Sequence, residues 1–317
     1  MGSAARSIVR AVRGDIEPSE LGITLCHEHL AIDMSAGFGD PDLRLADPQQ
    51  VADDLAEASA LGLRTVVDVT PFGTGRDAKA LVRIAELTGL NVVASAGYYF
   101  GKFLPDYVAG LDEADLAERI AREVEEGLDG TGIRAGAIGE VGNSPGGITE
   151  VERKVFRAVG RAQRRTGVGV ITHTDVGQLG PEQLDLLVAG GADPARVLVG
   201  HMDCTADRAA QLAVARRGAF VGFDRIGLVR GVFGPYQTDE TRLRAIADLL
   251  DHGYAGQIIL SHDLSRQSRL RRNGGQGYGY VLREFVPKLR QAGVDEATVQ
   301  TILVDNPRRL LAFSPRS

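Results

Sequence analysis

The residues best suited to chemistry in this sequence are histidines. The segment His27-Glu28-His29 follows a short apolar run that predicts a strand. Side chains alternate between the two faces of a strand, so His27 and His29 are expected to point the same way. Cys26 and Glu28 then face the other way, towards the helices. If the histidine side is the inside of a barrel, both imidazoles can reach one ion.

Three further apolar runs end in a histidine. These ends read Thr172-His173-Thr174, Gly200-His201-Met202-Asp203 and Ser261-His262-Asp263. A single histidine at a strand end is typical of a hydrogen-bonded packing residue, but the joint pattern favours a metal site. Imidazole and carboxylate ligands suit Zn²⁺, Mn²⁺, Fe²⁺ or Co²⁺, and spacing does not choose among these ions.

A carboxylate ends the predicted fourth strand, in Ala137-Ile138-Gly139-Glu140. A glutamate in an apolar strand is costly to bury unless it is paired or coordinated. Glu140 is therefore a candidate bridge between two metal ions. The alternative is a glutamate that caps a helix or meets solvent at the strand exit.

Other polar features favour structural roles. His262 must point away from Asp263 and is predicted to pack or to support a ligand. His252 beside Gly253 is typical of a helix C-terminus. Asp68 is expected to orient a neighbouring group without binding metal. The Gly-rich segment 273–280 is expected to help close over a site, and it is a poor match to a phosphate loop.

The elements that must position these residues repeat along the chain. Between most of the apolar runs lie stretches with helical spacing, among them Asp53–Leu61, Ala78–Leu87, Ala114–Glu126 and Thr149–Arg165, the last with Thr149 as its N-cap. This alternation predicts a parallel sheet, and eight units close into a (β/α)₈ TIM barrel. A doubly wound open sheet is the rival, but no phosphate loop follows the first run. The eight predicted strands are Ile23–Cys26, Thr65–Val69, Val92–Ala96, Gly136–Val141, Val168–Thr172, Val197–Gly200, Phe220–Phe223 and Ile258–Ser261.

Composition limits the class of protein. The 317 residues show no linker, so one domain spanning residues 1–317 is expected. The net charge of −6 argues against a general affinity for nucleic acid or for anionic membranes. No apolar run would span a bilayer, and no secretory signal is recognised. With only two cysteines, Cys26 and Cys204, a reducing cytoplasm is the expected location.

These residues resemble the phosphotriesterase branch of the amidohydrolase superfamily. The resemblance runs from Gly22–Leu30 through Val67–Pro71 to the closing Asp305-Asn306-Pro307, and it includes the three histidine-bearing strand ends. It implies a barrel with a binuclear metal centre at the C-terminal ends of the strands, a small-molecule substrate and a homodimer. It also implies that His27, His29 and Asp263 bind the buried metal, and that His173 and His201 bind the exposed one.

One departure from the family pattern is informative. Many relatives bridge the metals with a carboxylated lysine at the end of strand four, whereas the nearest lysine here, Lys154, lies on the following predicted helix. The chain therefore resembles the subgroup bridged by glutamate, which supports Glu140 and weakens the transfer of paraoxonase-like activity. Tyr99 and Arg225 resemble substrate-contacting residues of lactonase relatives. Loop packing or a surface ion pair is the alternative for both.

The function predicted is hydrolysis of a carboxyl derivative, a lactone, ester or N-acyl amide, by a hydroxide that bridges two divalent ions. Zinc is the first choice of ion, with Mn, Co or Fe as alternatives. Asp263 would take the proton and pass it towards the leaving group. Phosphotriester hydrolysis is the second candidate. A mononuclear deaminase, with Asp175 in place of a catalytic glutamate, and a catalytically inactive barrel complete the alternatives.

Overall fold

The computed structural model describes residues 6–231 and 234–315. Eight parallel strands form one sheet in which each strand hydrogen-bonds to its neighbours in sequence, so the sheet curls into a nearly closed barrel. The strands are β1 (Ile23–Glu28), β2 (Leu63–Asp68), β3 (Asn91–Ala96), β4 (Ala137–Gly142), β5 (Gly169–His173), β6 (Val197–Val199), β7 (Phe220–Phe223) and β8 (Ile258–Leu260).

Helices follow the strands and cover the outside of the barrel. The longer ones are α1 (Pro48–Ala60), α2 (Ala78–Thr88), α3 (Glu113–Glu125), α4 (Glu150–Thr166), α5 (Gly180–Ala189), α6 (Arg208–Arg216) and α7 (Asp239–Asp251). After β8 come α8 (Val286–Gln291), α9 (Glu296–Gln300) and α10 (Asn306–Leu311), with π-helical turns at Val281–Phe285 and Thr301–Asp305. Four-residue helices occur at Ser35–Phe38 and Tyr107–Gly110.

The local sequence explains where these helices begin. Thr149 caps α4 as predicted, and Glu152 completes a reciprocal capping box with it. Aspartate side chains cap α1, α2 and α3 at Asp47, Asp77 and Asp112. The predicted (β/α)₈ barrel is confirmed, with strand boundaries within two residues of those expected. His252 terminates α7, also as expected.

Two apolar cores flank the sheet. One lies between the strands and the helices; the other fills the barrel, with residues from every strand. Cys26 belongs to the inner core, so the prediction that it faces the helices is wrong. The pairing of β1 with β2 shifts register between Leu25 and Glu28, and this irregularity breaks the alternation on which the prediction relied. The inner core comprises Val9, Leu21, Cys26, Val67, Val69, Val93, Ala137, Ile171, Leu198, Phe220, Ile259, Leu310 and Leu311.

Side chains join β1 to β8 at the C-terminal ends of the strands. The buried Glu28 carboxylate accepts hydrogen bonds from the Ser261 hydroxyl and from the main-chain N–H groups of His262 and Leu264. Its Oε1 also lies 2.8 Å from Nδ1 of His262, whose Nε2 accepts from the Val281 N–H. His262 therefore has the supporting role that the sequence predicted, and Glu28 points away from the histidine pair.

The Gly-rich segment 273–280 lies beside these contacts between β1 and β8. Tyr278 is fully buried, and its hydroxyl donates to the main-chain oxygen of His29 at 2.5 Å. Its N–H donates to Asp54 on α1, while Gln276 contacts the main-chain oxygen of Gly227. Through these contacts the segment supports the end of β1 and links it to the loop after β7.

Three two-stranded ribbons complete the described chain: Val9–Ala11 with Gly14–Ile16, Ile32–Asp33 with Arg44–Leu45, and Arg230–Gly231 with Gly234–Pro235. Ile8 exchanges main-chain hydrogen bonds with Phe313 at the N-terminal end of the barrel. Within the described ranges, no helix has the length and apolar character needed to cross a bilayer.

Candidate metal centre

Four histidines and one glutamate meet at the C-terminal ends of β1, β4, β5 and β6. Glu140 lies at the centre of the cluster. Its Oε2 is 3.0 Å from Nε2 of His27, 3.1 Å from Nδ1 of His173 and 3.5 Å from Nε2 of His201. Its Oε1 is 3.5 Å from Nε2 of His29. The structure therefore brings together five residues that the sequence places up to 174 positions apart.

The end of β4 is shaped to place Glu140 there. A Cβ atom on Gly139 would lie 2.1 Å from the main-chain oxygen of Ile171 on β5, so only glycine fits this close approach of two strands. The N–H of Glu140 donates to the main-chain oxygen of Val69, which fixes the carboxyl-bearing residue across the strand end. Glu140 is buried, which rules out the solvent-exposed alternative.

The pKa values of Glu140 and His173 depend on their burial and on the charged groups around them. Burial would raise the pKa of Glu140, but the surrounding His173, His201 and His27 side chains lower it well below its usual range, so the carboxylate is ionised. Burial lowers the pKa of His173 to about 4, so its ring is neutral at physiological pH. His173 thus already has the neutral form that a divalent cation requires of an imidazole ligand.

Asp263 lies at the edge of the cluster. Its Oδ1 is 3.1 Å from Nε2 of His29, and its Oδ2 is 3.0 Å from Nη2 of Arg225. Among the described residues, three sets of donors lie mutually within 4.8 Å, and Asp263 is in none of them: His27, His29 and Glu140; Glu140, His173 and His201; and His27, His201 and Asp224. Asp263 thus contacts a candidate ligand but stands farther from the centre than Glu140.

Two of these residues have left-handed backbones. His201 has φ of 59° and Asp263 has φ of 51°, a region that costs a residue with a Cβ roughly 1 kcal/mol or more. The N–H of His201 donates to Asp224, and the N–H of Asp263 donates to the main-chain oxygen of His27. The surrounding strands therefore hold both side chains in directions that an extended strand end would not give.

Tyr99 and Arg225 also reach the cluster. The Tyr99 hydroxyl lies 3.1 Å from Nδ1 of His173, and Arg225 Nη2 lies 3.1 Å from Nε2 of His201. Arg225 also donates to the Tyr236 hydroxyl at 2.9 Å and stacks on that ring. Both residues are buried, so the alternative of a surface ion pair does not apply to Arg225.

Aromatic side chains pack around Tyr99. The rings of Phe100 and Phe103 lie 4.2 and 5.6 Å from that of Tyr99, and Phe38 lies 5.4 Å from Phe103. Lys102 places its ammonium group 3.8 Å from the centre of the Phe38 ring. The loop after β3 thus gives the cluster an aromatic side, where the Tyr99 and Phe100 rings lie 5.0 and 5.3 Å from that of His173, and the loop after β7 gives it a cationic side, Arg225.

Sequence reasoning missed two acids beside this cluster. Asp224 is fully buried, with Oδ1 2.7 Å from Nδ1 of His201 and Oδ2 3.0 Å from Nδ1 of His27. Asp203 accepts from Arg242 and from the N–H of Arg225. The signal available for Asp224 was an acid directly after an apolar strand. Asp68 carries that signal too, but accepts from the N–H groups of Leu30, Ala31 and Thr70.

The donor set fits divalent metal ions. Nδ1 of His173 and Nε2 of His201 face each other at 2.8 Å, and one carboxylate lies among four imidazoles. Such convergence of buried nitrogen donors on one carboxylate suits borderline cations such as Zn²⁺. A barrel with this site at its strand ends is the architecture of a metal-dependent hydrolase.

The comparisons with known proteins agree. The model of the phosphotriesterase family matches residues 7–311, so the chain belongs to the phosphotriesterase family. The phosphotriesterase homology protein of Escherichia coli strain K12 is 40% identical over 286 residues, covering 90% of this chain and 96% of that protein. A crystal structure of the E. coli protein, complexed with phosphate in its active site, is similar with a TM-score of 0.88 at 39% identity and covers 92% and 99% of the two chains.

Two relatives have names that describe the hydrolysis of acyl compounds. The N-acetyltaurine hydrolase of Danio rerio is 32% identical over 349 residues, covering 98% of this chain and 99% of that protein. The lactonase Lmo2620 of Listeria monocytogenes is similar in structure, with a TM-score of 0.90 at 29% identity over 98% of this chain and all of the other. The chain is accordingly a metal-dependent hydrolase of this family, acting on a small molecule.

Proposed function

We propose that this protein hydrolyses a carboxyl derivative, a lactone, ester or N-acyl amide, at a centre of two divalent ions. The observation that carries the proposal is the position of Glu140 between the pair His27 and His29 and the pair His173 and His201. His27 and His29 with Asp263 would hold one ion, His173 and His201 the other, and Glu140 would bridge them. Zinc remains our first choice of ion.

The chain's own residues supply the rest of the reaction. Two bound ions would polarise the scissile carbonyl and lower the pKa of a bound water. Burial would raise the pKa of Asp263, but Arg225 and His29 lower it below its usual range, so the carboxylate is ionised and can accept a proton from the water. Burial raises the pKa of Tyr99 well above its usual range, so its hydroxyl stays protonated and can donate to an acyl oxygen.

The two sides of the site indicate the form of the substrate. The aromatic side can take an apolar acyl group, and Arg225 offers a cation to a polar or anionic portion. This arrangement, together with lactonase and N-acyl amide hydrolase relatives, supports a carboxyl ester or amide. Phosphotriester hydrolysis is the second candidate, favoured by the phosphate in the active site of the related E. coli structure.

The first test is metal content per chain, measured by elemental analysis on the wild type and on Glu140→Ala. We expect about two divalent ions in the wild type and fewer in the variant, because the bridge between the two histidine pairs is lost. A screen of lactones, esters, acyl amides and phosphotriesters then assigns the substrate class. One ion or none, with no effect of the substitution, would remove Glu140 from the centre and favour the deaminase or inactive-barrel alternatives.

Three further expectations remain proposals. We expect one domain across residues 1–317, a homodimer and a cytoplasmic location. Sedimentation of the purified protein would test the dimer, and fractionation of cells would test the location.

A further inference from the structure

Asp224 links the two halves of the candidate metal centre. It follows β7, is fully buried, and approaches one histidine from each half: His27 on β1 and His201 on β6. Both histidines present Nδ1 to Asp224 and Nε2 to Glu140. Glu140, His27, Asp224 and His201 therefore form a closed ring of four side chains, with a carboxylate at each end and an imidazole on each side.

We infer that Asp224 is a positioning residue that fixes the tautomer and orientation of His27 and His201 for metal binding. A carboxylate that accepts a proton from Nδ1 leaves Nε2 unprotonated and directs it at the metal. Nothing in the spacing of the metal ligands assigns this role. The inference rests on the proposed metal centre, because it concerns two of its ligands.

The contacts of the two carboxylate oxygens favour this role over simple packing. Oδ1 accepts from the main-chain N–H of His201 at 2.9 Å and lies 2.7 Å from its Nδ1. Oδ2 and Nδ1 of His27 are 3.0 Å apart but poorly aligned, and neither atom has another hydrogen-bond partner among the described residues. Oδ2 of Asp224 and Nδ1 of His27 are thus each other's nearest polar partner. A buried carboxylate is costly unless N–H groups such as these satisfy it.

The backbone leaves room for this carboxylate. A Cβ atom on Gly222 of β7 would lie 2.6 Å from Oδ2 of Asp224. Any larger residue at that position would push the carboxylate away from His27. The short side chain of Asp224 reaches both rings only because this space is empty.

Asp224 is also separate from the acids with other roles. Asp263 contacts the far nitrogen, Nε2, of His29, and Glu140 contacts the Nε2 side of His27. In the third set of close donors, His27, His201 and Asp224, the Nδ1 atoms of the two histidines lie 3.0 and 2.7 Å from the carboxylate oxygens of Asp224, which are hydrogen-bonding distances. We therefore assign it to support rather than to a third ion.

The test is the affinity of metal-free Asp224→Asn for Zn²⁺, measured at pH 7 by competition with a chromophoric chelator. An amide can accept from one Nδ1 but presents an N–H₂ to the other, so we expect affinity to fall roughly 10- to 100-fold for both equivalents. Glu152→Gln is the matched control. Glu152 is a buried carboxylate that accepts main-chain N–H bonds at the start of α4, and its variant should keep the wild-type affinity.

The outcomes are distinguishable. A folded Asp224→Asn with wild-type affinity would overturn this inference alone, whereas a wild type that takes up no zinc would overturn the proposed metal centre. If the variant does not fold, long-range ¹H–¹⁵N spectra of the zinc-loaded wild type decide the question. We expect the ring proton of His27 and of His201 on Nδ1. A proton on Nε2 of either ring contradicts the inference.

Discussion

At the scale of single residues, Asp263 differs from the other acids of the site. It contacts His29 with one oxygen and pairs with the guanidinium of Arg225 through the other. Glu140 is surrounded by imidazoles on both oxygens. We therefore expect different roles for the two carboxylates: Glu140 to bridge the centre, and Asp263 to accept a proton in the reaction.

This difference predicts the behaviour of Asp263→Asn. The amide keeps the shape of the side chain but cannot accept a proton as a carboxylate does, so kcat should fall by ~10²–10⁴. Metal content should stay close to that of the wild type. Steady-state kinetics and elemental analysis on the same preparation measure the two effects. Unchanged turnover would remove Asp263 from proton transfer, and complete loss of metal would make its role that of a ligand only.

At the scale of elements, the loops after β1 and β8 are tied by Asp42. Its carboxylate accepts from the N–H and hydroxyl of Ser268, at 2.7 and 2.6 Å, and from Arg266 at 3.1 Å. Its main-chain oxygen accepts from the N–H of Gln267. Burial would raise the pKa of Asp42, but the Ser268 and Arg266 contacts lower it below its usual range.

The lowered pKa predicts how Asp42→Asn depends on pH. A depressed folded-state pKa gives stability that is present above the unfolded value, about 4, and is lost as pH falls through the folded value. The variant should be less stable than the wild type by roughly 1–2 kcal/mol at pH 7, with the difference shrinking below about pH 4. Urea unfolding of chelator-treated protein isolates this effect from metal loss.

Ser268→Ala is the matched control for this loop contact. It removes the hydroxyl donor without changing a charge, so its effect should vary much less with pH. A constant difference between Asp42→Asn and the wild type down to pH 3 would show that the ionised carboxylate contributes nothing to the link between the loops.

The strands and helices also show how much of the structure could be predicted from the sequence. Eight β-branched runs separated by helical spacing are local signals, and they gave the barrel and most strand ends within two residues. The register shift before Glu28, which turns Cys26 inward, depends on how β1 pairs with β2 and leaves no mark in the spacing. Asp224 and the left-handed backbones of His201 and Asp263 depend in the same way on contacts between strands distant in sequence.

At the scale of the whole molecule, the barrel gathers buried acids and imidazoles from several strands at one end, where they pair with one another. His29 is an example. Burial would lower its pKa, but hydrogen bonds to Asp263 and Glu140 raise it to about 10 in the metal-free protein. The strands that carry these groups close the barrel, so metal binding and the stability of the fold should be linked.

Removal of metal should therefore lower the thermal midpoint of the whole chain. Ions present at 1,000 times their dissociation constant would stabilise the fold by ~4 kcal/mol. Treatment with a chelator, followed by calorimetry, measures the loss, and added Zn²⁺ should restore the midpoint. Glu140→Ala provides the comparison, because its midpoint should respond less to the chelator. Equal responses of the wild type and the variant would place the stabilising ion elsewhere.

The aromatic and cationic sides of the site belong to two loops, after β3 and after β7, whereas the candidate ligands lie at or next to strand ends joined by buried carboxylates. A library randomised only at Phe103 and Tyr236 would thus leave the ring of Glu140, His27, Asp224 and His201 unchanged. A protein built in this way could change its substrate preference through these loops while the residues of the candidate metal centre stay the same. In evolutionary terms, the strand ends would keep the residues that carry out the reaction, and the loops would change those that select the substrate.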